Sequence, residues 1–231
     1  MNTSAHKFLP FARPNRQDGF TLIEMIGVLA VIGILAAVIL PRVFNAITTS
    51  RVNGTVLGIN TVKTAVTSLA GKYGSIPSSN SNNSRIDDLL VAEGLLEQRF
   101  TSKLGLQADP NSIALNVWTK GATGTWTVTG GGNFTVVNHI RSWTATATAP
   151  STAAGRNFML DGSTNLPVGS VVVSAFLHSV QASEARELSQ RIDGDSMTAA
   201  DNVTADNLGK VVYTTPPATG LVDVYVYVIH Q

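Results

Sequence analysis

One carboxylate stands inside an otherwise apolar stretch, and its place demands a chemical reason. From Phe20 to Leu40 the chain reads FTLIEMIGVLAVIGILAAVIL, 21 residues interrupted only by Glu24. A charge in the membrane part of a helix costs roughly 2.5–3.5 kcal/mol, so such a side chain is a functional candidate by default. The plainer reading is an anchor charge that snorkels to the interface, since Glu24 lies near the start of the run. Other residues with chemical potential are dispersed. His139, His178 and His230 show no H-x-x-H or H-E-x-x-H spacing, so metal-assisted hydrolysis has no basis in the sequence. His178 and Ser179 are neighbours in a strand-like stretch, where adjacent side chains point to opposite faces, so they do not read as base and nucleophile. Asp193, Asp195, Asp201 and Asp206 form an acidic loop whose oxygens suit calcium. The spacing lacks the closing Glu of an EF-hand, and a solvated loop is the commoner state of such a segment. No G-x-S-x-G, P-loop or dinucleotide fingerprint is present, and Gly130–Gly132 reads as a turn. Trp118, Trp126 and Trp143 lie in Thr-rich strands, where core packing is a commoner fate than a glycan-binding face.

Composition narrows the classes further. The 231 residues carry 16 Lys+Arg against 15 Asp+Glu, a formal +1, so charge implies no nucleic-acid partner. Charged residues are 13% of the chain, against about 25% in ordinary soluble domains. The absence of cysteine excludes disulfides, zinc-thiolate sites, iron–sulfur ligation and thiol nucleophiles.

The elements that must position Glu24 follow from periodicity. Residues 1–19 are polar and basic, with Lys7, Arg13 and Arg16 against Asp18. The apolar run of 20–40 spans roughly 31 Å as a helix, one bilayer core, and the basic leader favours a cytoplasmic N-terminus with the remainder outside. A cleaved secretory signal is the competing reading, but the run is longer than a typical h-region and no clean A-x-A site follows. Pro41 predicts a kink. Beyond it, Val52, Val56, Ile59, Val62, Val66, Leu69 and Tyr73 form a helical stripe, with Gly71, Gly74 and Pro77 as stop signals. Residues 41–74 are thus the amphipathic half of one long helix, and 75–231 a β-rich head. In the head, 75–84 reads as a polar loop, Ser84 as an N-cap with Asp87 completing a capping box, and 86–100 as a short amphipathic helix. Strands are expected at 112–119, 125–129, 133–149, 168–180, 211–215 and 222–229, with a hairpin turn at Gly130–Gly132. A helix is expected at 183–192, followed by the acidic loop 193–207.

At Gly19-Phe20-Thr21-Leu22-Ile23-Glu24 the sequence resembles the type IV pilin superfamily: a basic leader ending in Gly, then Phe-Thr-Leu-x-Glu opening an apolar helix with Pro41 near its middle. The resemblance covers roughly residues 1–75. It implies an α+β, pilin-like fold with the long N-terminal helix packed on an antiparallel sheet, and a structural protein rather than an enzyme. It also implies cleavage between Gly19 and Phe20 by a prepilin peptidase and N-methylation of Phe20. The subunit would reside in the inner membrane and pass through an assembly machinery into a self-assembled helical filament. Removal of the leader, with its three basic and one acidic side chains, leaves 212 residues with a net charge of −1. In the filament, the new amine of Phe20 would pair with Glu24 of another subunit, since a buried carboxylate is tolerable only when paired. Gly27, Ala30, Gly33, Ala36 and Ala37 would let helices approach closely, and Pro41, with Gly54 and Gly58, would permit bending. Two roles fit: a subunit of a surface pilus serving adhesion, motility or DNA uptake, or a type II secretion pseudopilin in the periplasm. Lacking cysteine, the chain departs from pilins whose C-terminal loop is closed by a disulfide. Hydrogen bonds, or calcium at the four aspartates, would then hold that loop; no other cofactor is expected.

Overall fold

The computed structural model describes residues 19–79, 85–105, 109, 113–131, 137–146 and 156–231. The leader ahead of Gly19, the expected Ser84 cap and Gly132 lie outside the described residues. The chain divides into two units, one ending at Asn45 and one spanning Ala46–Gln231. A single helix, α1 (Leu22–Tyr73, 52 residues), runs through both and passes Pro41 without a break. Pro41 has no N–H to give, so the carbonyl one turn before it loses its helical partner.

The second unit is built on the C-terminal half of α1. Val52, Thr55, Ile59, Val62, Ala65, Val66 and Leu69 are its buried face, which keeps five residues of the stripe that periodicity predicts, adds Thr55 and Ala65, and leaves Val56 and Tyr73 half-buried at its margin. They pack against a four-stranded antiparallel sheet of β3 (His139–Thr144), β4 (Val171–Gln181), β5 (Val211–Tyr213) and β6 (Leu221–His230), in the order β3-β4-β6-β5. Strand alternation divides β4 cleanly. Val173, Ala175 and Leu177 join the core beneath α1, whereas Val172 and Phe176 join a second cluster with Phe158, Leu166, Val212 and Tyr225 on the other face. Both faces being covered explains why VVVSAFL reads as an almost continuous apolar run.

The connection between α1 and the sheet differs from expectation in three places. Helix α2 covers only Ile86–Ala92, not 86–100. Gly94, at φ +70°, closes it: Gly94 N–H donates to the Val91 carbonyl and Leu95 N–H to that of Leu90, a Schellman stop. Its N-cap is Arg85, with no side-chain cap, and Asp87 forms no capping box. The hairpin pairs β1 (Asn116–Lys120) with β2 (Trp126–Gly130) and turns at Gly121–Gly124, not at Gly130–Gly132. Gly130 and Gly131 instead lead from this small sheet toward the large one, where β3 begins only at His139. Helix α3 (Ala182–Asp193) follows β4 directly and ends at Gly194, φ +80°.

The second unit also buries charge. The Arg85–Asp87 pair (2.9 Å) is fully buried, and Arg99–Asp88 (2.6 Å) nearly so. Each carboxylate also accepts a backbone N–H, Asp87 from Phe100 and Asp88 from Asn116, while Trp118 Nε1 donates to the Arg85 carbonyl. This network ties α2 to the chain on either side of it and to β1.

Candidate assembly site at the helix N-terminus

The site begins with the residues that start α1. Thr21 is its N-cap: the Thr21 N–H and hydroxyl both donate to Glu24 Oε2, at 2.8 and 2.7 Å, and Glu24 N–H donates back to Thr21 Oγ1 at 3.3 Å. This reciprocal T-x-x-E pattern is a capping box, which satisfies two otherwise orphaned helix donors. Sequence reasoning singled out Glu24 for its charge and overlooked this local role, although the spacing Thr21-Leu-Ile-Glu24 carries it. Glu24 thus has a hydrogen-bonded position at the helix start, four residues from the Gly19–Phe20 bond.

Beyond the cap, the segment of α1 up to Leu40 is apolar around its whole circumference. Seventeen large hydrophobic side chains between Phe20 and Ile47 are exposed, with Phe20 at 82%. A helix apolar on all sides needs lipid or other helices around it, and α1 is long and apolar enough to cross a membrane. Added Cβ atoms at Gly27 and Gly33 meet nothing within 4 Å, so the faces carrying them are open in the single chain.

The remaining candidates fall elsewhere in the head. The four aspartates of the C-terminal loop do not converge. Asp193 accepts from the Lys210 and Val211 N–H groups (all 2.9 Å), and Gly209 passes so close that an added Cβ would lie 2.5 Å from the carboxylate carbon. Asp206 accepts from the Ser189 hydroxyl (2.7 Å) and the Ala199 and Leu208 N–H groups. Asp201 closes its own turn onto Val203 and Thr204, and Asp195 accepts from Gln190. Among the described residues no three His, Cys, Asp or Glu side chains are grouped to hold a metal. Burial pushes the Asp193 and Asp206 carboxyls up, against the hydrogen bonds that favour their charged forms.

His178 and Ser179 correct the expectation from strand alternation. A bulge between Leu177 and Val180 puts Ser179 at φ +52° and turns both side chains to one side. Ser179 Oγ lies 3.0 Å from His178 Nε2, and His178 Nδ1 2.8 Å from Asp223 Oδ1. The chain of contacts has the order of a hydrolytic triad but not its electrophile-binding part. The Ser179 N–H is spent on Asp223 and that of His178 on Asn138, so neither is free to hold an oxyanion. Gly105 presses on the same bulge, where a Cβ would lie 2.2 Å from the His178 carbonyl oxygen. The arrangement joins the start of β6 to the bulge of β4. The tryptophans pack inward: Trp143 is buried beneath the Arg141 and Arg156 guanidinium groups, and Trp118 and Trp126 are half-buried, with Trp126 edge-on to Tyr73.

Comparison with known proteins agrees with the N-terminal geometry. Residues 14–40 match the family model of the prokaryotic N-terminal methylation motif. Over 98 residues, 42% of the chain, the sequence is 35% identical to the fimbrial protein EcpB of Eikenella corrodens. The match spans 55% of that relative's length. No solved structure matches the chain.

Proposed function

We propose that this chain, which resembles the type IV pilin superfamily in its methylation motif, its fimbrial relative and its long-helix α+β fold, is a structural subunit of a type IV pilus. The observation that carries the proposal is the pairing of an all-round apolar first half of α1 with a capped carboxylate in its first turn. In this reading a prepilin peptidase cuts between Gly19 and Phe20, and Phe20 is N-methylated. The new amine emerges beside Thr21 and within a turn of Glu24. Before assembly, the apolar segment of α1 up to Leu40 lies in the inner membrane with the head outside. In the filament the apolar segments bundle, and the amine of one subunit meets Glu24 of another, so that neither charge is buried alone. Small residues at Gly27 and Gly33 admit neighbouring helices, and Pro41 marks where α1 yields to bending. The head forms the filament surface, its C-terminal loop held by Asp193 and Asp206 rather than by calcium. The relative's name as a fimbrial protein supports the surface pilus over the periplasmic pseudopilus.

The test is intact mass of membrane-extracted protein with and without the peptidase, followed by fractionation of sheared cells. A chain beginning at N-methylated Phe20 and recovered in sheared surface fibres supports the reading. A chain still beginning at Met1, or cut beyond Leu40, overturns it, and a processed chain confined to the envelope replaces the pilus with a pseudopilus.

A further inference from the structure

The exposed part of α1 in the second unit is a ridge between two unlike grooves. At about 100° per residue, Leu57 and Thr64 crown the ridge opposite the buried stripe, while Val56, Ile59, Asn60 and Lys63 turn to one flank and Gly58, Thr61 and Val62 to the other. On the first flank lies a groove of about 250 Å³, floored by Val56, Ile59, Val226 and Val228 and rimmed by Lys63, Arg191 and Lys210. All three cations are exposed, and their side chains form no ion pair among the described residues. The nearby Asp193 is committed to backbone N–H groups. On the second flank lies a groove of about 400 Å³ formed by α1 and the loop Leu95–Thr101. Its charged residues are Glu97, exposed and without an ion pair among the described residues, and Arg99, which is buried on Asp88.

We propose that these flanks are the two halves of one lateral contact between copies of this chain, in which the Leu96–Glu97 loop of one subunit seats in the Lys63–Arg191–Lys210 groove of the next. The proposal rests on the filament reading above. Three cations clustered in a chain with 13% charged residues call for an anionic partner. The opposite flank of the same helix segment offers a carboxylate beside two half-buried leucines, apolar for the floor and anionic for the rim. Because the complementary surfaces lie on opposite flanks of residues 56–63, the contact is heterologous. Repetition of such a contact gives an open helical array rather than a closed dimer.

The absence of native cysteine makes the test direct. The full chain carrying Lys63→Cys and Glu97→Cys is assembled in cells, and sheared fibres are treated with a short bis-maleimide. A ladder of cross-linked oligomers from the double variant, with none from either single variant, is expected. In parallel, Lys63→Glu or Glu97→Lys should lower fibre yield about tenfold, since like charges across a contact are costly, and the combined swap should restore it. Both side chains are exposed, so the membrane pool of each variant should match wild type. Wild-type fibres with no ladder and indifferent charge reversals would overturn this contact while leaving the pilus reading intact. Cross-linking of the Lys63→Cys variant to itself would replace it with a symmetric dimer. Failure of the wild type to form fibres would remove the filament reading and this contact together.

Discussion

His139 is held in one protonation state from two sides. Its Nδ1 lies 2.7 Å from the Val137 carbonyl, and its Nε2 accepts from Arg141 Nε at 2.6 Å. The ring is therefore neutral with its proton on Nδ1, since a guanidinium only donates. Burial first, and then the Arg141 charge, hold its pKa well below the usual histidine range. An unfolded chain takes up this proton as pH falls through about 6.5, whereas the folded chain does not. Stability is therefore complete above that pH and declines below it, with a slope approaching 1.4 kcal/mol per pH unit. Buried carboxyls raised by desolvation, such as Asp87 and Asp193, act in the opposite sense at lower pH, so the comparison isolates the ring: urea midpoints of His139→Phe should fall less steeply from pH 7 to 5 than those of wild type. Ser179 gives a second prediction at this scale. Left-handed backbone costs a non-glycine residue about 1–2 kcal/mol, and its hydroxyl contact to His178 returns about 1 kcal/mol. Ser179→Ala keeps the strain and loses the contact, so it should be less stable than Ser179→Gly by about 1 kcal/mol in detergent-solubilised protein.

At the scale of elements, legibility followed the number of residues that speak to one face. The stripe from Val52 to Leu69 repeats often enough to define the buried side of α1, and β4 and β6 announce themselves by β-branched runs. Helix α2 was legible in place but not in length, because Gly94 carries the stop while Leu95 and Leu96 extend the apolar periodicity past it. Asp87 and Asp88 mislead for a different reason. Carboxylates in a short amphipathic helix suggest a solvated face, and only the tertiary partners Arg85 and Arg99 reveal that they are buried. Truncating one partner strands the other, so Asp88→Ala should cost about 3–5 kcal/mol by chemical denaturation. The C-terminal loop was legible as an acidic segment but not as a clamp, since Asp193 acts on backbone 17 and 18 residues away. If its carboxylates are spent on these bonds, the melting temperature should not change between excess calcium and EDTA, while Asp193→Ala should lower it in both.

For the whole molecule the division of labour lies within α1: one face of its second half is buried by its own chain, and its first half is apolar and exposed among the described residues. In the proposed assembly a filament supplies that partner, and Glu24 is where the two requirements meet. Its carboxylate caps the helix through Thr21, and in the proposed assembly it also neutralises the amine of Phe20. These roles separate chemically, because a glutamine serves at this position of a capping box as well as a glutamate does but carries no charge. Glu24→Gln should therefore leave helix content and cleavage at Gly19–Phe20 unchanged, measured by circular dichroism and intact mass. Fibre yield should nevertheless fall, because a buried amine without a counter-charge costs several kcal/mol per subunit. Glu24→Asp, shorter by one methylene, keeps the charge and should retain more assembly than Glu24→Gln. If the glutamine variant assembled as well as wild type, the carboxylate would be a cap alone, and register in the filament would rest on packing of the apolar helix faces.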